Sequence, residues 1–271
     1  MNSLSNEGKK ADERDQVLSS SYRKNLNAMT RESQNKLSAE QVAEFYHDEF
    51  VQDQARDFGE IATPLDGKGV VVDIGGGVGY FAERVNVELG YPVRVIDMDP
   101  ESVAQCAARS VPAQVGDALK PPIAGDEACV CFNLILHHLV ARDEAGTRKL
   151  QLGALTAWKD RSVPLFVNEY IYESFVDRAS GRLIYAITSS KLLSDIAGFA
   201  ARFIPAFKAN TFGVGVRFRS HDEWLALFRD AGFDVKAVRI GADEEVKLPL
   251  RLLLIKAIRR DSFILSPASA A

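Results

Sequence analysis

Short apolar runs alternate with helix-like segments between residues 67 and 172. Within each run the apolar side chains are consecutive, a pattern typical of strands that are buried on both faces. The runs predict five strands, at residues 69–74, 93–96, 113–115, 128–136 and 163–172. Helices are predicted between them, at residues 80–89 and in the segment that ends near Ala108. This alternation favours an α/β fold in which a doubly wound parallel sheet carries helices on both faces.

A regular pattern returns at Ser220, after a long aromatic and basic segment. Ser220 and Glu223 have the spacing of a capping box, and Gly232 is a natural helix stop. The apolar face of the predicted helix consists of Trp224, Leu227, Phe228 and Ala231. Residues 233–240 and 246–258 predict two strands joined by the sequence GADEE, which indicates an antiparallel hairpin at the sheet edge. The final residues, SPASAA, are expected to be disordered.

These patterns divide the chain into four parts. Residues 1–65 predict an N-terminal helical lid with a polar, disordered start of about 16 residues. Residues 66–172 predict the Rossmann-like core, 173–219 an inserted helical cap, and 220–271 the helix and hairpin that complete the core. In the lid, one helix is predicted from Leu18, Tyr22, Leu26 and Met29, and a second from the Ser38–Gln41 capping box and Val42, Phe45, Tyr46 and Phe50.

Composition narrows the class of protein. Hydrophobic residues make up 46% and charged residues 26% of the 271 residues, which excludes a fully disordered chain or a collagen-like fibre. The net charge of −4, with no membrane-length apolar run and no secretory signal, argues against nucleic-acid and membrane partners. Three cysteines without CxxC spacing argue against disulfides and favour a reducing, cytoplasmic setting. The four histidines show no metal-ligand spacing, so no metal is expected.

The glycine-rich sequence VVDIGGGVG, residues 71–79, carries the strongest chemical signal. A buried strand runs into a turn whose glycines can adopt positive φ and allow a ligand to approach the backbone. Gly77, Gly79 and Ala82 satisfy a dinucleotide-binding pattern. The alternative register is Asp73, Gly75, Gly77 and Gly79, in which the acid suits a cationic, amino-acid-like ligand better than a pyrophosphate.

Further polar residues follow the next predicted strands. Asp97 ends the second strand, where a carboxylate can accept hydrogen bonds from two ribose hydroxyls, and Met98 can pack on an adenine face. Asp117 follows the third strand and can accept a bond from an adenine amino group. Ala118, next to Asp117, and Asn133, near the end of the fourth strand, complete the predicted cofactor site.

These segments, together with the Leu-His-His-Leu turn at residues 136–139, have the order and spacing of one known family. Residues 66–172 resemble the class I S-adenosylmethionine-dependent methyltransferases, and the sequence SHDEWLALFRDAGFDV is similar to that family's usual ending. The resemblance implies a seven-stranded sheet with the last strand antiparallel. It also implies S-adenosylmethionine as cofactor and S-adenosylhomocysteine as product. The N-terminal segment and residues 173–219 lie outside the resemblance.

Methyl transfer needs alignment of the two reactants, and a base where the acceptor must lose a proton. The candidate catalytic residues are His137, His138 and Tyr170. Glu169 and Tyr172, at the end of the fifth strand, are candidates for contact with substrate. His221 is expected only to begin a helix. A thioether or carboxylate acceptor would need no base, and the sequence contains no unambiguous one.

The insertion at 173–219 has seven basic and three acidic residues, a net charge of +4, with aromatic residues between them. One interpretation is a helical cap with a solvated basic face. The other is a lid that places cations over an anionic acceptor, with Arg217 and Arg219 as the candidates because guanidinium groups suit carboxylates. The glycine-punctuated sequence at 210–217 is a candidate mobile loop next to the site.

The leading hypothesis is a methyltransferase that acts on O, N or S of a small, anionic metabolite. An NAD(P)-dependent oxidoreductase is disfavoured by Asp73 and by the lack of a Tyr-x-x-x-Lys pair. A non-catalytic nucleoside-binding protein is the third alternative. Nucleic-acid methylation is disfavoured because residues 133–136 are Asn-Leu-Ile-Leu, without the Pro-Pro motif. Protein acceptors stay open, and a homodimer is the alternative to a monomer.

Overall fold

A computed structural model describes residues 48–62, 69–190, 193, 195 and 215–268. Internal contacts divide the chain into two units, Met1–Asn35 and Lys36–Ala271, and the described residues belong to the second. Several of the predicted features lie outside the described ranges. They are the helix near Leu18, the capping box at Ser38, most of the loop at 210–217 and the last three residues.

The elements follow the predicted alternation. The helices are α1 (Asp48–Ile61), α2 (Tyr80–Leu89), α3 (Pro100–Cys106), α4 (Glu144–Thr156), α5 (Ala179–Ser189), α6 (His221–Asp230) and α7 (Leu248–Arg251). Short 3-10 helices lie at Ala107–Arg109, Leu136–His138 and Lys159–Arg161. The strands are β1 (Val70–Ile74), β2 (Val93–Asp97), β3 (Ala113–Val115), β4 (Glu127–Asn133), β5 (Leu165–Ser174), β6 (Phe233–Arg239) and β7 (Ile255–Pro267).

The strands form one seven-stranded sheet in the order β3-β2-β1-β4-β5-β7-β6. Strands β1 to β5 pair in parallel, and β7 pairs antiparallel with both β5 and β6. This confirms the predicted fold class, including the antiparallel last strand. The strand order reverses at β1, which has β2 on one side and β4 on the other, and ligands of open α/β sheets bind beside such a point.

Two apolar layers cover the sheet. On one face α4 and α6 bury a cluster that includes Trp158, Trp224 and Phe228. On the other, α1, α2 and α3 bury a cluster that includes Phe58 and Phe81. Helix α1 is therefore part of the core. This differs from the expectation that all of residues 1–65 would lie outside the sheet, since the apolar stripe of α1 packs on it.

The capping box at Ser220 is confirmed: its side chain accepts a bond from Glu223 N, and the Glu223 side chain accepts one from Ser220 N. The residues expected on the apolar face of α6 are buried, and Gly232 ends the helix with φ 82°. The predicted strand at 246–258 was wrong over residues 246–254, because β7 begins only at Ile255. Pro249 stands in the first turn of α7 instead, where it needs no backbone donor, and β7 extends to Pro267 in the segment expected to be disordered.

The predicted fourth strand also ended too late. Strand β4 ends at Asn133 because Leu134 takes φ 53°, which breaks the extended backbone. Residues 136–138 then form a single 3-10 turn. The two histidines therefore lie on a turn just beyond the carboxyl edge of the sheet, the edge at which β1, β2, β4 and β5 end.

Candidate active site

The glycine-rich loop joins β1 to α2 at this carboxyl edge. Gly75, Gly77 and Gly79 have φ values of 68°, 54° and 87°, which residues other than glycine rarely adopt. A Cβ at Gly75 would also lie 1.9 Å from Ile135 Cδ1. These glycines are therefore required by the backbone and by the loop's own packing, and not by a ligand alone.

Asp73 is buried at the end of β1, with 1% of its surface exposed. Its Oδ1 accepts a bond from Asn133 Nδ2 at 3.0 Å, and among the described residues its buried Oδ2 has no hydrogen-bond partner. A Cβ at Gly76 would meet this oxygen at 2.3 Å. Burial raises the pKa of Asp73 to about 7, and the charge of Asp97 adds to the shift, although the Asn133 bond opposes it. A buried carboxylate oxygen without a donor is suited to a ligand that supplies one.

Asp97 ties the end of β2 to the glycine-rich loop. Its Oδ2 accepts a bond from Gly77 N at 2.9 Å, and its Oδ1 accepts one from Asp99 N at 2.8 Å. Met98 is partly buried beside it. Asp73, Asn133 and Asp97 therefore occupy neighbouring strand ends, as predicted for one cofactor site.

The third strand contributes differently. Asp117 Oδ1 accepts a bond from Leu119 N at 2.8 Å and so stabilises the turn after β3. The side chain of Ala118 is buried in the apolar layer beneath α4. Contact of these two residues with a cofactor stays a prediction. Because the side chain of Ala118 is buried, only its backbone atoms could make that contact.

Glu169, in the middle of β5, and His137, in the turn after β4, form a buried pair. His137 Nδ1 lies 2.6 Å from Glu169 Oε2, and the two side chains are 1% and 0% exposed. Glu169 Oε1 accepts a bond from Leu136 N at 2.6 Å. Since both oxygens are bonded within the chain, Glu169 lies behind His137. Contact of Glu169 with substrate stays a prediction, although both of its oxygens already have partners within the chain.

Aromatic rings surround this pair. The rings of His137 and His138 have centroids 4.1 Å apart, and Phe218 lies 4.9 Å from His137. Tyr172 stacks on Phe218 at 4.2 Å, and Tyr170 meets the ring of His137 edge-on at 6.0 Å. The predicted catalytic and aromatic residues are thus brought together in one cluster.

Burial sets the charge states within the cluster. It lowers the pKa of His138 well below its usual value, and the neighbouring His137 lowers it further, so His138 is uncharged at neutral pH. Burial raises the pKa of both Tyr170 and Tyr172, so both phenols keep their protons. Tyr170 is thereby disfavoured as a base, although it can donate a hydrogen bond.

Arg217 and Arg219 are buried, so they do not belong to a solvated basic face, and their contact with an acceptor stays a prediction. They are 0% and 3% exposed, and Glu144 bonds both, through Oε2 to Arg217 Nε at 2.7 Å and Oε1 to Arg219 Nη1 at 2.9 Å. Glu223 accepts from Arg217 Nη2 at 2.7 Å. The two cations are thus paired with intrachain carboxylates, and their charge is balanced without an anionic acceptor.

Sequence reasoning missed Gln151, Glu144 and Phe218. Arg217 and Arg219 are two apart on an extended segment, so both can face one side, and this spacing could have suggested a shared acidic partner. Glu223 was identified only as a helix cap. No local signal singles out Gln151, a polar residue in the middle of α4 that bonds Arg219 and is 0% exposed.

His221 begins α6, as expected, and its Nδ1 lies 2.7 Å from Asp261 Oδ2. Within the described residues, no cluster of three or more His, Cys, Asp or Glu side chains is arranged to hold a metal. No helix in the described ranges is both long and apolar enough to span a membrane.

Comparison with known proteins bears on the fold. No protein-family model matches the sequence, and no curated protein sequence matches it. The chain is similar to the structure of the MccD protein, with 9% identity and a TM-score of 0.57, over 80% of this chain and 96% of that one.

Two methyltransferase structures are also similar. Geranyl diphosphate C-methyltransferase from Streptomyces coelicolor A3(2), in complex with Mg²⁺, geranyl diphosphate and S-adenosyl-L-homocysteine, gives 12% identity and a TM-score of 0.50 over 80% and 79% of the two chains. Mitomycin 7-O-methyltransferase MmcR gives 15% identity and a TM-score of 0.50, and the match spans 80% of this chain and 54% of MmcR. The chain therefore has the Rossmann-like fold that these methyltransferases share.

Proposed function

We propose that this protein is an S-adenosylmethionine-dependent methyltransferase that acts on a small molecule. The observation that carries the proposal is the arrangement at the carboxyl edge of the sheet. There the glycine-rich loop, Asp97 and the unpartnered oxygen of Asp73 stand beside the buried His137–Glu169 pair. Similarity to methyltransferase structures supports the proposal at the level of the fold.

The residues present fit the cofactor. Asp73 and Asn133 would bind its amino-acid end, because a buried carboxylate without a donor suits an ammonium group. Asp97 would accept bonds from the ribose hydroxyls, and Met98 and Asp117 would contact the adenine. When bound, the cofactor supplies a methyl group activated by a positively charged sulfur. An oxidoreductase is disfavoured because Asp73 would lie near the pyrophosphate of a dinucleotide.

His137 is the proposed general base. With its Nδ1–H donated to Glu169, the other ring nitrogen, Nε2, carries the lone pair that can take a proton. The bound cofactor would supply the methyl group to the acceptor atom, and its sulfur would keep the electron pair of the broken bond. The acceptor's proton passes to Nε2, and the Glu169 carboxylate stabilises the imidazolium that forms.

This pair changes the expected acceptor. A thioether or carboxylate has no proton to lose, and a buried histidine held by a glutamate would serve no purpose with either. We therefore favour an acceptor that loses a proton, which is a hydroxyl, an N–H group or a thiol.

Calorimetry tests the cofactor directly. We expect S-adenosylhomocysteine to bind far more tightly than NAD or NADP, and Asp97→Ala to weaken it by about tenfold or more, since bonds to a charged group contribute about 1.5–3 kcal/mol each. Asp126→Ala, which removes an exposed carboxylate paired with Arg94, is the control and should leave affinity unchanged. Preferential binding of NAD would refute the proposal. A labelled-methyl screen of small alcohols, phenols, amines and thiols then identifies the acceptor.

A further inference from the structure

The turn that carries His137 has little stability of its own. It is a 3-10 helix of three residues that follows a break in the backbone at Leu134, where φ is 53°. A turn this short has few internal hydrogen bonds. The position of the histidine ring therefore depends on bonds from other elements.

Three long-range bonds hold the turn. Leu136 N donates to Glu169 Oε1 at 2.6 Å, and Leu136 O accepts from Gln151 Nε2 at 3.0 Å. His137 O accepts from Arg217 N at 2.9 Å. One bond comes from β5, one from α4 and one from the segment that returns from the insertion.

The amide of Gln151 has only one orientation that satisfies its partners. Arg219 donates to Gln151 Oε1 from Nε at 2.9 Å and from Nη2 at 2.6 Å, and a guanidinium can only donate. The amide nitrogen must therefore face Leu136 O, a group that can only accept. Arg219 thus fixes the side chain that in turn holds the histidine turn.

The arginines themselves are held at a considerable energetic penalty. Burial and the charge of Arg217 lower the pKa of Arg219. Burial by itself would raise the pKa of Glu144, but its bonds to both arginines more than offset this and lower it. Two arginines balanced by Glu144 and Glu223 form a neutral group, which apolar side chains could replace without loss of stability in many proteins. Its place directly behind the turn points to a role in positioning.

We propose that Gln151 and Arg219 are positioning residues, which align the His137 ring for proton transfer by holding the Leu136 carbonyl. The inference rests on the proposed function, in which His137 is the base. Neither residue touches the reactants. Their effect reaches the ring through the backbone of the turn, and it links α4 and the end of the insertion to the active site.

Two substitutions separate the bonds of Gln151. Gln151→Glu keeps the acceptor for Arg219 but loses the N–H that Leu136 O accepts. Gln151→Met loses both bonds without adding a charge. We expect both to lower kcat by about 100-fold, with little change in KM, because misplacement by about 1 Å costs that much. The same change at a strand on the sheet edge, Gln114→Glu, is the matched control and should leave kcat unaltered.

Nuclear magnetic resonance of ¹⁵N-labelled histidine gives a readout that needs no turnover. We expect the ring signals of His137, assigned with His137→Asn, to shift in both Gln151 variants and not in Gln114→Glu. The positioning role would be overturned if both folded Gln151 variants kept the wild-type kcat and the wild-type ring signals. A lowered melting temperature with unchanged kcat and ring signals would overturn it as well. Failure of the wild type to bind S-adenosylhomocysteine would refute the proposed function instead, and the ring signals would still test the positioning.

Discussion

The two halves of the carboxyl edge are built in different ways. In the cofactor half, Asp97 bonds only backbone in the contacts described, accepting from Asp99, two residues away, and from Gly77, 20 residues away, while Asp73 accepts from the Asn133 amide. In the acceptor half, ionisable side chains pair with one another. His137 and Glu169 are 32 residues apart, and Arg217 and Glu144 are 73 apart.

The two halves also differ in how far their buried carboxylates are hydrogen-bonded within the chain. The cofactor half keeps the buried Asp73 Oδ2 without a donor among the described residues, whereas Glu169 in the acceptor half has both oxygens bonded. An unsatisfied buried group favours a ligand that completes it, and a fully bonded network favours a fixed geometry. Under the proposed function, Asp73 in the first half binds the cofactor and Glu169 in the second half aligns His137.

The largest expected effect is on catalysis, at His137. His137→Asn should lower kcat by about 100-fold to 10,000-fold, because general-base catalysis contributes about that factor. Affinity for S-adenosylhomocysteine should not change, since the cofactor half is intact. Steady-state kinetics with a labelled methyl group and calorimetry measure the two quantities.

His221→Asn is a suitable control for this substitution. His221 is also paired with a buried carboxylate, Asp261, but it lies at the start of α6. Its loss should leave kcat nearly unchanged. An equal loss of kcat in both variants would show that the effect is not specific to the turn after β4.

The next effect is on stability, at Arg217. Arg217→Met removes one of the two cations that balance Glu144 and Glu223 and leaves only Arg219 beside them, and breaking a buried pair costs about 3 kcal/mol. Denaturant unfolding measures this loss. Arg56→Met, which removes a half-exposed arginine from surface ion pairs, should change stability by less than about 1 kcal/mol. If Arg217→Met were as stable as the control and raised the acceptor's KM, the arginine would face the acceptor after all.

The contrast also explains what the sequence could predict. Gly75, Asp73 and Asp97 were identified because their roles follow from strand ends and backbone conformation within a short segment. The partners of Arg217 and Arg219 were not identified, because Glu144 lies on α4 and only the folded chain brings it near the extended segment that carries the two arginines. The two cations are visible in the net charge of the insertion, but a net charge does not show which carboxylates they pair with.

The error at the last strand has a similar cause. Strand β7 carries buried Asp261 and Ser262, which weaken its apolar pattern, while the leucines at 248–254 strengthen a pattern that is no strand. The fold supplies partners for the polar residues from elsewhere: His221 bonds Asp261, and Ser262 donates to Asp57 Oδ2 at 2.8 Å. Hydrophobic periodicity cannot anticipate such partners, since they come from α6 and α1.

The smallest expected effects concern Asp73 and pH. Because burial raises the pKa of Asp73 to about 7, the folded protein keeps a proton that the unfolded chain releases near pH 4. The stability from this proton is complete below about pH 4 and is lost as the pH rises through 7. Asparagine has no such proton, so Asp73→Asn does not lose this stability between pH 4 and 7. The melting temperature of Asp73→Asn minus that of the wild type should therefore rise over this range. Asp126→Asn, whose carboxyl has a pKa lowered by Arg94, should show no such rise.

The same carboxyl should couple cofactor binding to proton release. A ligand ammonium next to Asp73 favours the ionised carboxylate, so binding near pH 6 should expel close to one proton from the wild type. Calorimetry in buffers of different ionisation enthalpy detects that proton, and Asp73→Asn should abolish the buffer dependence. At pH 8 the variant should bind S-adenosylhomocysteine about tenfold more weakly, through loss of a bond to a charged group. Equal buffer dependence in both proteins would mean that Asp73 supports only the loop, through Gly76 and Asn133, and that the cofactor's charge is met elsewhere.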